Sequence, residues 1–256
     1  MSTITRRAFL LSTAVLPIGC AMRGPAAAAG SPKVALRAPE VGQSWRYAKH
    51  DLFTGKVVDH QIDTVAKVNH TIHIDSRTEG GAAATTAKRS WGSDLLSKYT
   101  GHEAVAPAEL PSEIQDPWGM VLVDPHWAQV QVYEAPIPLW PTQLEAGWSS
   151  HVMTKYKTPS DTSAGLSWDQ TMRAVGWETV TVPAGTFRAL RYTNYVHFTS
   201  ADSGRRDSLR HETVWFAPEV GRWVVRESSG TYLLDESVDD TPANESSYRW
   251  ELLSWT

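Results

Sequence analysis

Thr179-Val180-Thr181-Val182-Pro183-Ala184-Gly185-Thr186-Phe187, followed by Thr213-Val214-Trp215-Phe216-Ala217-Pro218-Glu219-Val220-Gly221-Arg222, decides the fold. In each stretch a run of β-formers meets a proline, and a glycine stands at or near the point where the β-formers resume. Proline presets φ at the second position of a type I turn, and glycine supplies the left-handed residue that follows it in a hairpin. Both stretches therefore read as two antiparallel strands joined by a short turn. Outward from them, 148–156, 167–174, 177–182, 186–198, 208–216, 222–227 and 246–255 read as strands, being rich in valine, threonine and aromatics and bounded by turn residues. The polar, glycine-bearing 199–207 closes a longer hairpin.

The first third carries the same signal. Trp45 and Tyr47 share one face of 43–47; 60–68 places Ile62, Thr64, Ala66 and Val68 on one side; and 71–75 pairs Ile72 with Ile74. Asn69-His70 between them reads as a tight turn. In the middle, 120–123 and 130–133 read as short strands, 106–117 as a proline-punctuated loop, and 93–99 as a short helix with Leu95, Leu96 and Tyr99 on one stripe. Strand 186–198 sets Phe187, Ala189 and Arg191 against Arg188, Leu190 and Tyr192, so neither face is wholly polar. A strongly curved sheet whose two faces both have partners accounts for that. The expected fold class is all-β, mainly antiparallel, a curved sheet or incomplete β-barrel with at most one or two short helices. Gly42-Gln43-Ser44-Trp45 and Gly147-Trp148 open similar meanders, so two related units, about 39–135 and 136–256, stand beside a single β-rich domain over 39–256.

The N-terminus is of another kind. Arg6 and Arg7 precede an apolar run to Ile18 and then small residues to Gly30, the order of a secretory signal. The run is too short to span a bilayer, which takes about 20 residues. The paired arginines followed by Ala8-Phe9-Leu10 point to twin-arginine export. Cys20, the sole cysteine, follows Leu16-Pro17-Ile18-Gly19 as in a degenerate lipoprotein cleavage site; the alanines at 26–29 offer a competing cut that would leave a soluble protein. On this reading 1–29 is the signal and 30–38 a tether. Removing 1–29, which holds three arginines and no acid, takes the net charge from −4 to −7. An acidic mature domain argues against nucleic-acid binding, and membrane contact is expected only through a lipid anchor at Cys20.

The two turn stretches, with Val41-Gly42-Gln43-Ser44-Trp45-Arg46-Tyr47 and Leu139-Trp140-Pro141, resemble the C-terminal hairpins of exported bacterial proteins of the DUF3108 and TapB-like group, most clearly over 177–227. The resemblance implies a curved antiparallel sheet or incomplete barrel like that of envelope lipoprotein carriers. It implies no catalytic residues.

Motifs for chemistry are missing. His70 and His73 would lie on opposite faces of a strand, and there is no His-Glu-x-x-His or cysteine pair, so no metal site is expected. No Gly-x-Ser-x-Gly or phosphate loop is present, and the acid-rich 235–240 reads as a solvated loop. No catalytic residue and no cofactor is expected. Tryptophan is the unusual quantity, with twelve, all after residue 44. Trp91, Trp118, Trp127 and Trp140 fall in the irregular middle and are the candidate ligand-binding residues; the competing reading is that they plug a barrel end. The expected function is that of a non-enzymatic exported envelope protein, periplasmic, outer-membrane-attached or secreted, binding a lipid or another apolar or amphipathic molecule. The alternatives are a structural partner of another envelope protein and a hydrolase of envelope polymers.

Overall fold

A computed structural model describes residues 35–79, 112–127, 129–158, 165–202, 204–234 and 241–256. None of these is helical; the expected helix at 93–99 lies outside them, as do Trp91, Cys20, Arg6, Arg7 and the acidic 235–240. Among the described residues thirteen strands follow one another: β1 Ser44–Asp51, β2 Val57–Val68, β3 Ile72–Glu79, β4 Glu113–Gln115, β5 Met120–Asp124, β6 Gln131–Pro138, β7 Ser149–Lys157, β8 Leu166–Val182, β9 Gly185–Thr199, β10 Arg205–Ala217, β11 Arg222–Leu234, β12 Ala243–Asn244 and β13 Tyr248–Trp255. The sheet is antiparallel throughout. β1 to β10 pair in chain order, β10 pairs β11, β11 pairs β13 and β13 returns to β1. The ring closes as a twelve-stranded barrel, with β12 as an extra short strand on β11. Closure removes the unpaired edges that an open sheet would expose.

Both deciding turns are present. Val182 pairs with Gly185 across Pro183-Ala184, and Gly221, at φ 73°, donates its N–H to Ala217 O before β11 begins. Asn69 makes the expected turn, its Oδ1 accepting from Thr71 N at 2.8 Å. Two expectations are corrected. The stretch 106–117, expected as a loop, holds strand β4, whose residues are buried. The ranges 167–174 and 177–182 form one strand, β8, whose register shifts between Ala174 and Gly176. A bulge bends the strand without ending it, and opposite the shift β9 changes its inward face from Phe187 and Ala189 to Leu190, Tyr192 and Asn194. In β2 the inward set is Gln61, Asp63 and Val65, whereas Val68 on the other set is 40% exposed. The apolar alternation of Ile62, Thr64, Ala66 and Val68 marks the outer face, because the interior at this level is polar.

The interior is layered. One apolar cluster holds Trp45, Tyr47, Ile74, Met172, Tyr192, Val214, Phe216 and Leu252; a second holds Tyr133, Tyr156, Trp168, Val196 and Phe198. Along β8 and β9 the inward residues pass from one cluster to the other through a single polar position, Trp168–Gln170–Met172 and Val196–Asn194–Tyr192. Gln170 donates to Asn194 Oδ1 at 3.0 Å, and Asn194 donates to Glu212 Oε2 at 3.2 Å. A belt of buried polar groups thus separates two apolar layers.

Candidate functional site

The belt gathers charge. Asp63 from β2, Glu113 from β4, Asp124 at the end of β5 and Arg222 at the start of β11 are all nearly inaccessible, and His126 just after β5 joins them. Arg222 sets Nη1 and Nη2 3.1 Å from Glu113 Oε1 and Oε2, and the same Nη2 lies 3.1 Å from Asp63 Oδ2. Such bidentate pairing is what repays the desolvation of a buried guanidinium. A second pair, Arg226 with Glu212, lies beside it.

His126 sits among the carboxylates. Its Nδ1 is 2.9 Å from Asp124 Oδ1 and 3.3 Å from Glu113 Oε2; its Nε2 is 2.9 Å from Ser76 Oγ. Ser76 has one proton, and it goes to Asp63 Oδ1 at 2.7 Å. His126 Nε2 must then donate to Ser76, and Nδ1, facing only carboxylate oxygens, must donate as well. With both nitrogens donating the ring is an imidazolium. Burial pushes the His126 pKa down, but the hydrogen bond and charge of Asp124 and the charges of Glu113 and Asp63 outweigh it and hold the ring above the ordinary histidine range. Burial likewise pushes Asp124 up, yet the hydrogen bonds and charge of His126 bring its carboxyl down to about 2. Asp63 is lowered too, against its burial, by Arg222 and His126.

Ser76, His126 and Asp124 have the order and atom contacts of a serine-hydrolase triad. The chemistry differs. A triad serine gives its proton to a neutral imidazole, whereas Ser76 gives its proton to Asp63 and His126 already holds both of its own. Ser76 also borders neither of the cavities described next.

Two cavities walled by described residues meet at Trp127. The inner one, about 50 Å³, lies in the belt beside Glu113, Asp124, His126 and Arg222. The outer one, about 140 Å³, opens at the barrel mouth between Trp127, Tyr156 and Phe198, with Arg205, Ser208 and Arg210 on the β10 side. Trp127 packs edge-on against Trp168 and Phe198, each at 5.2 Å. Its indole N–H donates to Asp124 Oδ2 at 2.9 Å, and the Arg210 guanidinium lies 4.1 Å over its ring. Arg205 and Arg210 share the Glu245 carboxylate at 3.2 and 2.9 Å, and Arg205 also reaches Asp202. The rim is therefore charge-balanced. Ser208 is 2% exposed, and its Oγ has no hydrogen-bond partner among the described residues.

Of the four candidate tryptophans, Trp91 lies outside the described residues and the other three separate. Trp127 walls both cavities. Trp140 borders the inner one but is chiefly core, stacked on Phe216 at 4.9 Å. Trp118 is 66% exposed on the turn before β5. The belt residues have no signature in the spacing of the histidines; the local signal for them is Asp124-Pro125-His126-Trp127, where three of four consecutive side chains converge.

No family model and no curated protein matches the chain. Three solved structures are similar in overall course: a protein classed as a lipoprotein from Parabacteroides distasonis (12% identity, TM-score 0.46, covering 87% of this chain and 99% of that one), an exported protein with a YmcC-like fold from Bacteroides fragilis (10%, 0.49, 87% and 99%), and the hypothetical lipoprotein YmcC from Escherichia coli (8%, 0.39, 83% and 84%). At these scores none of them carries a residue role or an activity to this chain.

Proposed function

We propose that the chain is an exported envelope protein, held at a membrane through acylated Cys20 or free in the periplasm, that binds a small amphipathic molecule at the barrel mouth. The observation that carries the binding is the outer cavity. At about 140 Å³ it matches the roughly 150 Å³ known to take a benzene ring. Trp127, Tyr156 and Phe198 give it an aromatic side among otherwise mainly polar walls, and the buried Ser208 hydroxyl offers a hydrogen bond that nothing described uses. A ring-sized apolar group fits beside the aromatics, and a neutral polar part meets the rim, where Asp202 and Glu245 balance Arg205 and Arg210. Drug-sized ligands take about 300–1,000 Å³, so whole acyl chains are poor candidates for this cavity.

The test is a titration of the folded protein with a neutral ring-bearing amphiphile, a phenyl glycoside, followed by tryptophan fluorescence. Saturable quenching is expected, weakened at least tenfold in Ser208→Leu, which fills the cavity. A signal that is absent, or equal in the variant, rejects the reading.

One observation favours the assembly alternative. The turn between β1 and β2 exposes Phe53 almost fully and Leu52 by about half, and Val57 and Val58 at the start of β2 are exposed by about half as well. Exposed apolar side chains so grouped mark contact sites. Crosslinking from position 53 in intact cells should yield one defined partner if this face docks, and none if it does not.

A further inference from the structure

The inner cavity has a chemistry of its own, independent of the mouth. We infer that Glu113, Asp124 and His126 form a divalent-cation site inside the barrel, with Glu113 Oε2, Asp124 Oδ1 and His126 Nδ1 as ligands. These three atoms lie within 4.8 Å of one another, and His126 Nδ1 is 2.9 and 3.3 Å from the two oxygens. Donors bound at about 2.0–2.2 Å to one first-row ion stand roughly this far apart.

Each ligand is also held from behind. His126 turns Nε2 to Ser76, which is fixed in turn by Asp63, so Nδ1 is the nitrogen presented to the carboxylates. Asp124 accepts the Trp127 indole N–H on Oδ2 and the His126 backbone N–H on Oδ1, which fixes the carboxylate with Oδ1 toward the shared point. Glu113 is oriented by the Arg222 guanidinium. Outer contacts of this kind fix the orientation of metal ligands and tune their basicity.

A second observation points to an occupant. Arg222, 3% exposed and bordering the same cavity, has an Nε–H with no acceptor among the described residues. The cavity of about 50 Å³ has room for water to complete the coordination and to accept from that N–H. Two carboxylate oxygens and one imidazole form a hard-to-borderline set that suits Zn²⁺ or Mn²⁺ over copper(I).

The experiment strips the full chain with chelator and titrates it with Zn²⁺ by calorimetry. One equivalent is expected, with X-ray absorption showing a single imidazole among oxygen neighbours. His126→Gln and Asp124→Asn should weaken binding at least a hundredfold. Ser76→Ala, which disturbs only the outer contact, should weaken it about tenfold. No uptake of Zn²⁺ or Mn²⁺ by the folded wild type overturns the inference. So does a spectrum with two or more imidazoles, which places the ion on surface histidines. That spectrum needs only the wild type, so the inference is decided even where a variant does not fold.

Discussion

Arg222 at the start of β11 grips Glu113 in β4 across the barrel interior, two guanidinium nitrogens to two carboxylate oxygens at 3.1 Å, between residues 109 apart in sequence. The pair ties the last long hairpin to the shortest strand of the middle. Breaking a buried pair leaves an uncompensated charge and costs roughly 3–5 kcal/mol. Arg222→Met should lower unfolding stability by about that much in denaturant titration, and Glu113→Gln added to it should recover part of the loss. A loss below about 1 kcal/mol would mean that the belt is open to water.

Gly119 should not tolerate a side chain. It has φ 79°, and a Cβ there would lie 2.2 Å from Trp140 Cε2. Gly119→Ala must strain the backbone and displace the indole from Phe216, at a cost of about 1–3 kcal/mol. The near-ultraviolet circular dichroism of the folded variant should change. An unchanged spectrum and stability would contradict this packing.

Acid should act through Glu212. Burial pushes its carboxyl up, but the charges of Arg226 and Arg210 and hydrogen bonds from Arg226 and Asn194 hold it below the ordinary value. A depressed carboxylate contributes stability that is full above its unfolded value, about 4.3, and is lost as pH falls through the lower folded value. Glu212→Gln should therefore be less stable than wild type at pH 7, and the gap should close on acidification below about pH 4. A gap constant with pH would show that Glu212 is not ionised in the fold.

Ser76 should be chemically inert. Its proton serves Asp63, and His126 carries both of its own. A fluorophosphonate probe should leave the folded protein unlabelled at pH 7; labelling that disappears in Ser76→Ala would establish the hydrolase alternative.

Export should be legible in the mass. Acylation at Cys20 predicts a membrane-fraction protein heavier than its chain, and Cys20→Ser should shift it to the soluble fraction. An unmodified chain beginning near Gly30 would fix the alanine cut instead.

The strands and hairpins were legible because their signals are local. Pro183 and Gly185, or Pro218 and Gly221, lie within a few residues of each other, and Trp45 with Tyr47 shows its shared face by alternation alone. The belt was not legible. Asp63, Glu113, Asp124 and Arg222 come from four strands, and only barrel closure sets their ends together. The inward register of Asp63 runs against the apolar alternation, since the residues inside are Asp63 and Val65 while Ile62, Thr64, Ala66 and Val68 share the other face. Among the tryptophans, Trp127 and Trp118 are alike in sequence context, and only the closed ring separates a cavity wall from an exposed turn residue.

Native mass spectrometry of the protein purified from its own envelope tests the central claim most directly. The account predicts that part of the wild type carries one small amphipathic molecule, released on mild collisional activation, and that Ser208→Leu carries none. Wild-type protein free of any adduct, or an adduct of equal occupancy in the variant, would contradict binding at the barrel mouth.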